Sequence, residues 1–154
     1  MRLAVASDHA GYPLKQVLAE HLRAAGHDVI DLGTHGAEPV DYPDFGAAAG
    51  RAVAGGEAEV GVCACGTGIG IAIAANKIAG VRAAVVHDVT SARLAREHND
   101  ANVVCMGARI VGAQVAFDAI DAFLASSFAG GRHTPRIEKI ARLERSPSTE
   151  ASHS

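Results

Sequence analysis

The hydrophobic residues of this chain follow two alternating patterns. Short, mostly apolar runs bounded by turn residues alternate with longer stretches in which apolar residues recur every three or four positions. The first pattern is typical of buried strands, and the second is typical of amphipathic helices. Five such runs predict five strands, at residues 3–6, 29–32, 60–64, 81–86 and 102–106.

A helical pattern follows each predicted strand. After the first strand, Leu14 and Leu18 recur at helical spacing behind Pro13, which suits a first turn, and Gly26 is a natural stop. Further helices are predicted at residues 45–54, 69–77, 90–98, 114–124 and 136–143. The hydroxyl of Thr90 is expected to cap the helix that begins there.

Strands that alternate with helical crossovers predict one doubly wound, Rossmann-like α/β domain of three layers around a five-stranded parallel sheet. The domain is expected to span residues 1–145, and the polar segment at residues 146–154 is predicted to be disordered. Right-handed crossovers bring the turns after the strands to one edge of the sheet, so ligands are expected there. The turns with candidate chemistry are residues 8–9, 65–70, 87–88 and 107–109.

Composition narrows the possible classes of protein. Aromatic residues make up only 4% of the chain, although hydrophobic residues make up 49%, so the core must consist of Ala, Val, Ile and Leu. The net charge of −3 argues against a surface for nucleic acid or an anionic membrane. The amino-terminal apolar run is too short for a secretory signal, and the longest uncharged run, residues 60–76, is a poor membrane span. Three cysteines without zinc-type spacing favour a reduced, cytoplasmic protein.

The segment CACGTGIG, residues 63–70, concentrates two cysteines and three glycines at the end of a predicted strand. A Walker phosphate loop requires Lys followed by Ser or Thr after its last glycine, and this segment has neither. The dinucleotide fingerprint also fails, because the third glycine comes one residue early. A disulfide between Cys63 and Cys65 would close a very small ring, and zinc would need ligands that the neighbouring sequence lacks. All four kinds of site are therefore disfavoured.

Two interpretations of this segment remain open. In the first, the glycines of residues 66–70 expose several main-chain N–H groups at the start of a helix, and Cys65 lies at the lip of the resulting anion site as a base or nucleophile. In the second, Cys65 is a buried small residue at a strand end, because cysteine is among the most buried residue types. Cys63 and Cys105 are expected to be structural.

Six segments of the chain occur in the order and register of one known family. They are SDHAG (7–11), DYPDF (41–45), CGTGIGIAIAANK (65–77), EHNDANV (97–103), GARIVG (107–112) and GGRH (130–133). Together they resemble the type B ribose-5-phosphate isomerases, whose family also includes the galactose-6-phosphate isomerase subunits and allose-6-phosphate isomerase. The resemblance runs from about residue 2 to residue 145.

This resemblance implies an activity, a fold and an assembly. Family members interconvert aldose and ketose sugar phosphates through a cis-enediolate, without a metal or cofactor, and ribose 5-phosphate isomerisation belongs to the pentose phosphate pathway. Their fold is a five-stranded parallel α/β sandwich, and they are dimers or tetramers with active sites between subunits. The expected partners are therefore a sugar phosphate and further copies of this chain, with neither nucleic acid nor membrane.

The resemblance also implies roles for individual residues. Cys65 corresponds to the catalytic base, Thr67 to the hydroxyl that assists proton movement between two oxygens, and His98, with Asp8, to the group that opens the furanose ring. One branch of the family uses a Glu in place of the Cys, but residues 71–73 offer no carboxylate here. The residues that correspond to substrate contacts are His9, Tyr42, Gly66, Gly68, Ile69, Gly70, Asn99, Arg109, Arg132 and Arg136.

These substrate contacts fall into three groups in the family. The amides of residues 66–70 correspond to the enediolate hole, Asn99 holds the sugar, and Tyr42 lines the site. The phosphate clamp corresponds to His9, Arg109, Arg132 and Arg136, of which some come from a neighbouring subunit. The helix at residues 136–143 is accordingly expected to pack on a partner subunit.

Each residue taken alone also has a structural explanation. Asp8 could cap the helix after it, Asn99 could end a helix, and His98 could be a solvated residue at a helix end. The hypotheses that stay open are an isomerase of another sugar phosphate (a tetrose phosphate, allose 6-phosphate or galactose 6-phosphate) and a non-catalytic phosphate-binding module. The histidines expected to be structural or at the surface are His21, His27, His35, His87 and His153.

Overall fold

The five predicted strands form a single sheet. In a computed structural model of the chain, residues 1–145 are described, and the tail predicted to be disordered, residues 146–154, lies outside them. The strands are β1 (Arg2–Ser7), β2 (Asp28–Asp31), β3 (Val60–Cys65), β4 (Ala83–Val85) and β5 (Val103–Gly107). Their order is β2-β1-β3-β5-β4, and every neighbouring pair is parallel. The predicted parallel sheet is therefore confirmed.

Helices cover both faces of this sheet. They are α1 (Tyr12–Ala24), α2 (Tyr42–Ala54), α3 (Ile69–Ala75), α4 (Val89–Asn99), α5 (Ala113–Ala125) and α6 (Thr134–Arg142). Apolar side chains of α1, α4 and α5 pack on one face, and those of α2 and α3 pack on the other, which gives the three predicted layers. None of the helices within residues 1–145 is both long enough and apolar enough to cross a membrane.

Some boundaries differ from the prediction. Thr90 does not cap α4, because the helix begins one residue earlier and Asp88 Oδ1 accepts the Ser91 N–H at 2.6 Å. Bonds from Ser91 also hold the pKa of Asp88 below its ordinary value. Strand β4 begins later than predicted. The Arg82 N–H donates to the side-chain oxygen of Asn102 at 2.7 Å, and pairing of β4 with β5 starts only at Ala83.

Small residues let α2 lie close to α3, the helix that follows the candidate site. A Cβ atom at Gly46 would lie 2.6 Å from the carbonyl oxygen of Ile71, and one at Gly50 would lie 3.1 Å from the side chain of Ile78. Ala49 and Ala75 are fully buried in the same layer. The two helices can approach this closely only because the sequence places Gly and Ala along their contact.

Main-chain hydrogen bonds join the loops at the carboxyl edge of the sheet. The Ala108 N–H donates to the Cys65 carbonyl at 2.9 Å, and the Arg109 N–H donates to the Gly66 carbonyl at 3.0 Å. These bonds continue the pairing of β3 with β5, in which Cys65 lies opposite Gly107. The loop after β3 is therefore held by the loop after β5.

A buried lysine, which the sequence analysis missed, fixes the other side of this edge. Lys15 is 1% exposed, and its Nζ donates to Asp31 Oδ1 and to the Thr34 carbonyl, both at 2.6 Å. Burial raises the pKa of Asp31, but hydrogen bonds from Lys15 and from the Gly33 N–H outweigh it, so the pKa lies below its ordinary value. The ionised carboxylate therefore stabilises the fold above its ordinary pKa, and this contribution is lost as the pH falls through the lowered one.

Replacing Lys15 with Met is expected to lower the free energy of unfolding by about 3 kcal/mol, because it leaves the Asp31 carboxylate and the Thr34 carbonyl without their partner. Lys77→Met, at an exposed lysine, is the matched control and should change it by less than about 0.5 kcal/mol. Urea unfolding of both variants measures the difference. Equal midpoints for the two would contradict the structural role given to Lys15.

Candidate active site

A cleft of about 500 Å³ opens at the carboxyl edge of the sheet, between the loops after β1, β3 and β5 and the start of α2. Besides Ala10 and Ile73, it is lined only by residues that the sequence analysis singled out. These are Asp8, His9, Tyr42, Cys65, Gly66, Thr67, Ile69, Gly70 and Arg109. Segments far apart in the sequence thus meet in one place.

Cys65 is the last residue of β3 and is 4% exposed, with its side chain at the wall of the cleft. Its sulfur accepts a hydrogen bond from the Gly68 N–H at 3.1 Å. The thiol is buried and also lies against the glycine-rich turn, so its position is compatible with both open interpretations of the sequence. A buried thiol that lines a cleft can touch a bound ligand without being solvated.

The turn after Cys65 has little room to vary. Gly68 has a φ of +78°, which glycine adopts readily, and a Cβ atom there would lie 2.8 Å from the carbonyl carbon of Met106. The exposed Thr67 accepts the Ile69 N–H on its Oγ1 at 3.2 Å. The Gly68 amide therefore contacts the sulfur of Cys65, and the Thr67 hydroxyl lies in the same turn and lines the same cleft.

Asp8 and His9 form the wall that comes from β1. Asp8 is buried, and its Oδ1 accepts the Gly11 N–H at 2.9 Å, which holds the turn before α1. It does not cap the helix, because Gly11 occupies the cap position of α1 and no side chain caps the helix there. The Nδ1 of His9 lies 3.1 Å from the N and 3.2 Å from the O of Val40. This contact ties the imidazole to the loop before α2 and leaves its position in the cleft well defined.

Tyr42 and Arg109 contact the two ends of the turn. The Tyr42 ring packs on Gly70, where a Cβ atom would approach it to 2.6 Å. The guanidinium of Arg109 lies over Gly66, with Nη1 3.2 Å from the position that a Cβ atom would take. None of the ion pairs within residues 1–145 includes Arg109, so its charge is available to an anion in the cleft.

Five of the predicted site residues do not line this cleft: Gly68, whose N–H is bonded to Cys65 within the turn, and four that lie elsewhere. His98, in the last turn of α4, stacks on His133 with ring centroids 4.3 Å apart, and Arg132 and Arg136 lie next to His133 along the chain. Asn99 lines a different surface cleft together with Ile140. The structure therefore divides the predicted set into a cleft group and an outlying group.

His133 had no role in the sequence analysis, although the GGRH segment contains it. It is 8% exposed, and its pKa lies below its ordinary value because of burial first and then because of the nearby His98, Arg132 and Arg136. The outlying group is therefore a concentration of positive and potentially positive side chains. Such a concentration suits an anionic ligand.

The other two cysteines lie deeper in the same layer. Cys63 and Cys105 are paired in register on β3 and β5, are fully buried, and do not line the cleft. A hydrogen bond with Cys63, burial and the neighbouring thiols raise the pKa of Cys105 well above its ordinary value. Within residues 1–145 no three His, Cys, Asp or Glu side chains lie close enough together to hold a metal ion.

Comparison with known proteins agrees with this arrangement. Residues 3–140 match the sequence model of the family described as Ribose/Galactose Isomerase. Ribose-5-phosphate isomerase B of Escherichia coli (strain K12) is 46% identical over 143 residues, which are 93% of this chain and 96% of that protein. Among solved structures, ribose-5-phosphate isomerase B of Clostridium thermocellum is 51% identical, with a TM-score of 0.93 over 94% of this chain and 97% of the other.

A further solved structure is that of ribose-5-phosphate isomerase B from Mycoplasma genitalium with bound ribulose-5-phosphate. It is 41% identical, with a TM-score of 0.89 over 93% of this chain and 95% of the other. The family's sequence model and these relatives match nearly the whole described chain, not one motif of it. The chain therefore belongs to the ribose/galactose isomerase family, among the type B ribose-5-phosphate isomerases, and is an aldose–ketose isomerase.

Proposed function

We propose that this protein interconverts ribose 5-phosphate and ribulose 5-phosphate through a cis-enediolate, with Cys65 as the base and without a metal or cofactor. The observation that carries the proposal is the contact between the Cys65 sulfur and the Gly68 N–H in a cleft that Arg109 also lines. A proton acceptor and main-chain hydrogen-bond donors stand together where a sugar carbon and its oxygen could both be reached.

The reaction needs a base and a means of carrying negative charge. The thiolate of Cys65 removes the proton from C2 of the open-chain aldose, and the electron pair of that bond forms the C1–C2 double bond. Negative charge then develops on the carbonyl oxygen, O1, and the amides of residues 66–70 stabilise it by hydrogen bonding. The proton then returns to C1 while the hydroxyl proton passes from O2 to O1 by way of Thr67. A positioned base contributes about 10²- to 10⁴-fold and one oxyanion donor about 10²- to 10³-fold to the rate.

The cleft group alone lacks two things that the reaction requires. A furanose must first be opened by an acid or base that titrates near neutrality, the role proposed for His98 with Asp8, and a phosphate dianion is best held by several guanidinium groups. Arg109 and His9 line the cleft, but Arg132, Arg136 and His98 do not. The proposed reaction therefore needs the outlying group to be brought to the cleft.

We infer that a second copy of the chain brings it. On α3, Ile69 and Ile73 are one turn apart, line the cleft and are 52% and 58% exposed, which leaves an apolar surface at its rim. Helix α6 buries none of its described side chains on its own chain, and Ile140 is 44% exposed. A symmetric dimer would cover apolar surface twice and complete two sites, with Asn99 of the partner holding the sugar.

The proposed function is tested by proton NMR of ribose 5-phosphate with the protein in D₂O and excess chelator. We expect ribulose 5-phosphate to form with deuterium incorporated at the exchanged carbon, because an enediolate intermediate exposes the transferred proton to solvent. Turnover only of a tetrose or hexose phosphate in parallel samples would overturn the substrate assignment. Binding of all these sugars without turnover would overturn the catalytic proposal, and turnover that the chelator abolishes would overturn the metal-free mechanism.

A further inference from the structure

His87 lies outside the cleft, where the chain leaves β4, and the proposed reaction gives it no role. Its Nε2 accepts a hydrogen bond from the Gly107 N–H at 3.1 Å. Gly107 is the last residue of β5 and lies opposite Cys65 in the sheet register. The imidazole thus reaches from the edge strand to the end of the neighbouring strand, beside the loop that carries the thiol.

This contact requires one form of the imidazole. Because the main-chain N–H is the donor, Nε2 must carry a lone pair, and the neutral ring therefore has its proton on Nδ1. The main chain of His87 is fixed by the cap of α4, where its N–H lies 3.4 Å from Ser91 Oγ and Asp88 accepts the Ser91 N–H. The ring is thus presented to Gly107 from a defined helix start.

Gly107 lies in direct contact with the turn of the candidate site. A Cβ atom at Gly107 would lie 2.6–2.7 Å from the carbonyl carbon, Cα and oxygen of Thr67. In the opposite direction, a Cβ atom at Gly68 would lie 3.1 Å from the Gly107 nitrogen. Two main chains this close move together, so a displacement of Gly107 displaces Thr67 and Gly68.

The same turn contacts the thiol directly, because the Gly68 N–H donates to Cys65 Sγ at 3.1 Å. We propose that His87 is a positioning residue, which holds Gly107 and through it the turn at Thr67–Gly68 in the geometry needed for isomerisation. The proposal rests on the proposed function, because the turn matters for rate only if its amides and Cys65 act on the sugar. It adds a residue that touches neither substrate nor thiol.

A shift of the turn should affect the chemical step more than substrate binding. The amides of the turn act on charge that develops in the transition state, whereas the charged side chains proposed to hold the phosphate, Arg109 and His9, contact Gly66 and Val40 and not Gly107. Misplacement of a catalytic group by about 1 Å can cost about 10²-fold in rate. Loss of the His87 contact is therefore expected to lower kcat by about tenfold, with KM changed by less than about threefold.

The test compares His87→Leu with His87→Gln in ribose 5-phosphate turnover. Leu resembles the imidazole in size but cannot accept a hydrogen bond, whereas the Gln carbonyl oxygen reaches about as far as Nε2 and can accept one. We expect kcat to fall in His87→Leu and to recover to within about threefold of wild type in His87→Gln. The matched control is His21→Leu, which removes a histidine of α1 bonded to Asp121 of α5 at 2.8 Å, outside the cleft, and should leave kcat unchanged.

Several results would overturn the proposal: unchanged kcat in a folded His87→Leu, a loss confined to KM, or an equal loss in Leu and Gln variants. If His87→Leu does not fold, His87→Asn replaces it, because its shorter amide cannot reach Gly107. Independently of activity, long-range ¹H–¹⁵N NMR of the wild type should show Nε2 unprotonated, and a protonated Nε2 would refute the contact. An inactive wild type would instead refute the proposed function, so the two failures are distinguishable.

Discussion

Replacement of Cys65 by Ala is expected to lower kcat for ribose 5-phosphate isomerisation by about 10²- to 10⁴-fold, the range that a positioned base contributes. KM should change little, because the charged contacts available to the phosphate come from Arg109 and His9 in the cleft and not from the thiol. Steady-state kinetics with the purified variant measure both constants. Full activity in Cys65→Ala would leave the thiol with only its structural explanation, as a buried residue at a strand end.

The matched control is Cys63→Ala. Cys63 lies two residues earlier on the same face of β3, is fully buried and does not line the cleft, so its replacement removes a thiol without touching the site. We expect Cys63→Ala to keep kcat within about twofold of wild type and to lose about 1 kcal/mol of stability. Comparable losses of kcat in the two variants would show that packing in this layer, and not the base, limits the reaction.

Activity measurements on mixed dimers are expected to distinguish an active site shared between two chains from an active site built within one chain. One partner would carry Cys65→Ala, and the other would carry Arg132→Ala with Arg136→Ala. Within residues 1–145 the side chains of these two arginines make no hydrogen bond or ion pair, so their replacement should remove charge without breaking internal side-chain contacts. Each parent variant should be nearly inactive under subsaturating ribose 5-phosphate.

Two tags and sequential purification would isolate the mixed dimers. If the outlying group comes from the partner, one of the two sites combines an intact Cys65 with intact arginines, and we expect about half of the wild-type activity. The matched control places all three substitutions on one chain and pairs it with a wild-type chain. If each active site is shared between the two chains, both sites of this control dimer contain a substituted residue, so its activity should be near zero.

A site built within one chain gives the opposite pattern. The first mixed dimer would then be inactive, because each chain carries a defect, and the control dimer would keep about half of the activity through its wild-type chain. A monomer with full activity in light scattering and kinetics would exclude the shared site altogether. A shared site therefore predicts half activity in the first mixed dimer and almost none in the control dimer, and a site within one chain predicts the reverse.

Most of the fold could be predicted from the chain because its signals are local. Apolar runs and helical periodicity depend on neighbouring residues, so the five strands and the helices between them were placed nearly correctly. Two of the boundary errors occurred where another side chain takes a main-chain N–H group, whereas α2 simply begins at Tyr42 and not at residue 45. Asp88 replaces Thr90 as the cap of α4, and Asn102 takes the N–H of Arg82 and so shortens the edge strand β4.

The candidate site was predictable only in part. The loop at residues 65–70 could be found from its composition, because closely spaced glycines and a cysteine at a strand end have few other uses. The outlying residues could be named only through the resemblance to a known family, and their roles stay predictions. Nothing in the sequence indicates a special role for Lys15 or His87. Lysine and histidine side chains are usually solvated, and only the folded surroundings show that these two make internal contacts.

The alternation of strands and helices, the small-residue core and the chemistry of the glycine-rich loop are already evident in the linear chain, because they depend on residue type and on short spacings. The folded arrangement alone shows which loops meet, because that depends on the order of the strands and the register of β3 with β5. It alone places Asp8, Tyr42 and Arg109 around Cys65 and leaves His98 outside the cleft. Such neighbours are separated by long stretches of chain, and no periodicity along a sequence records a contact across a sheet.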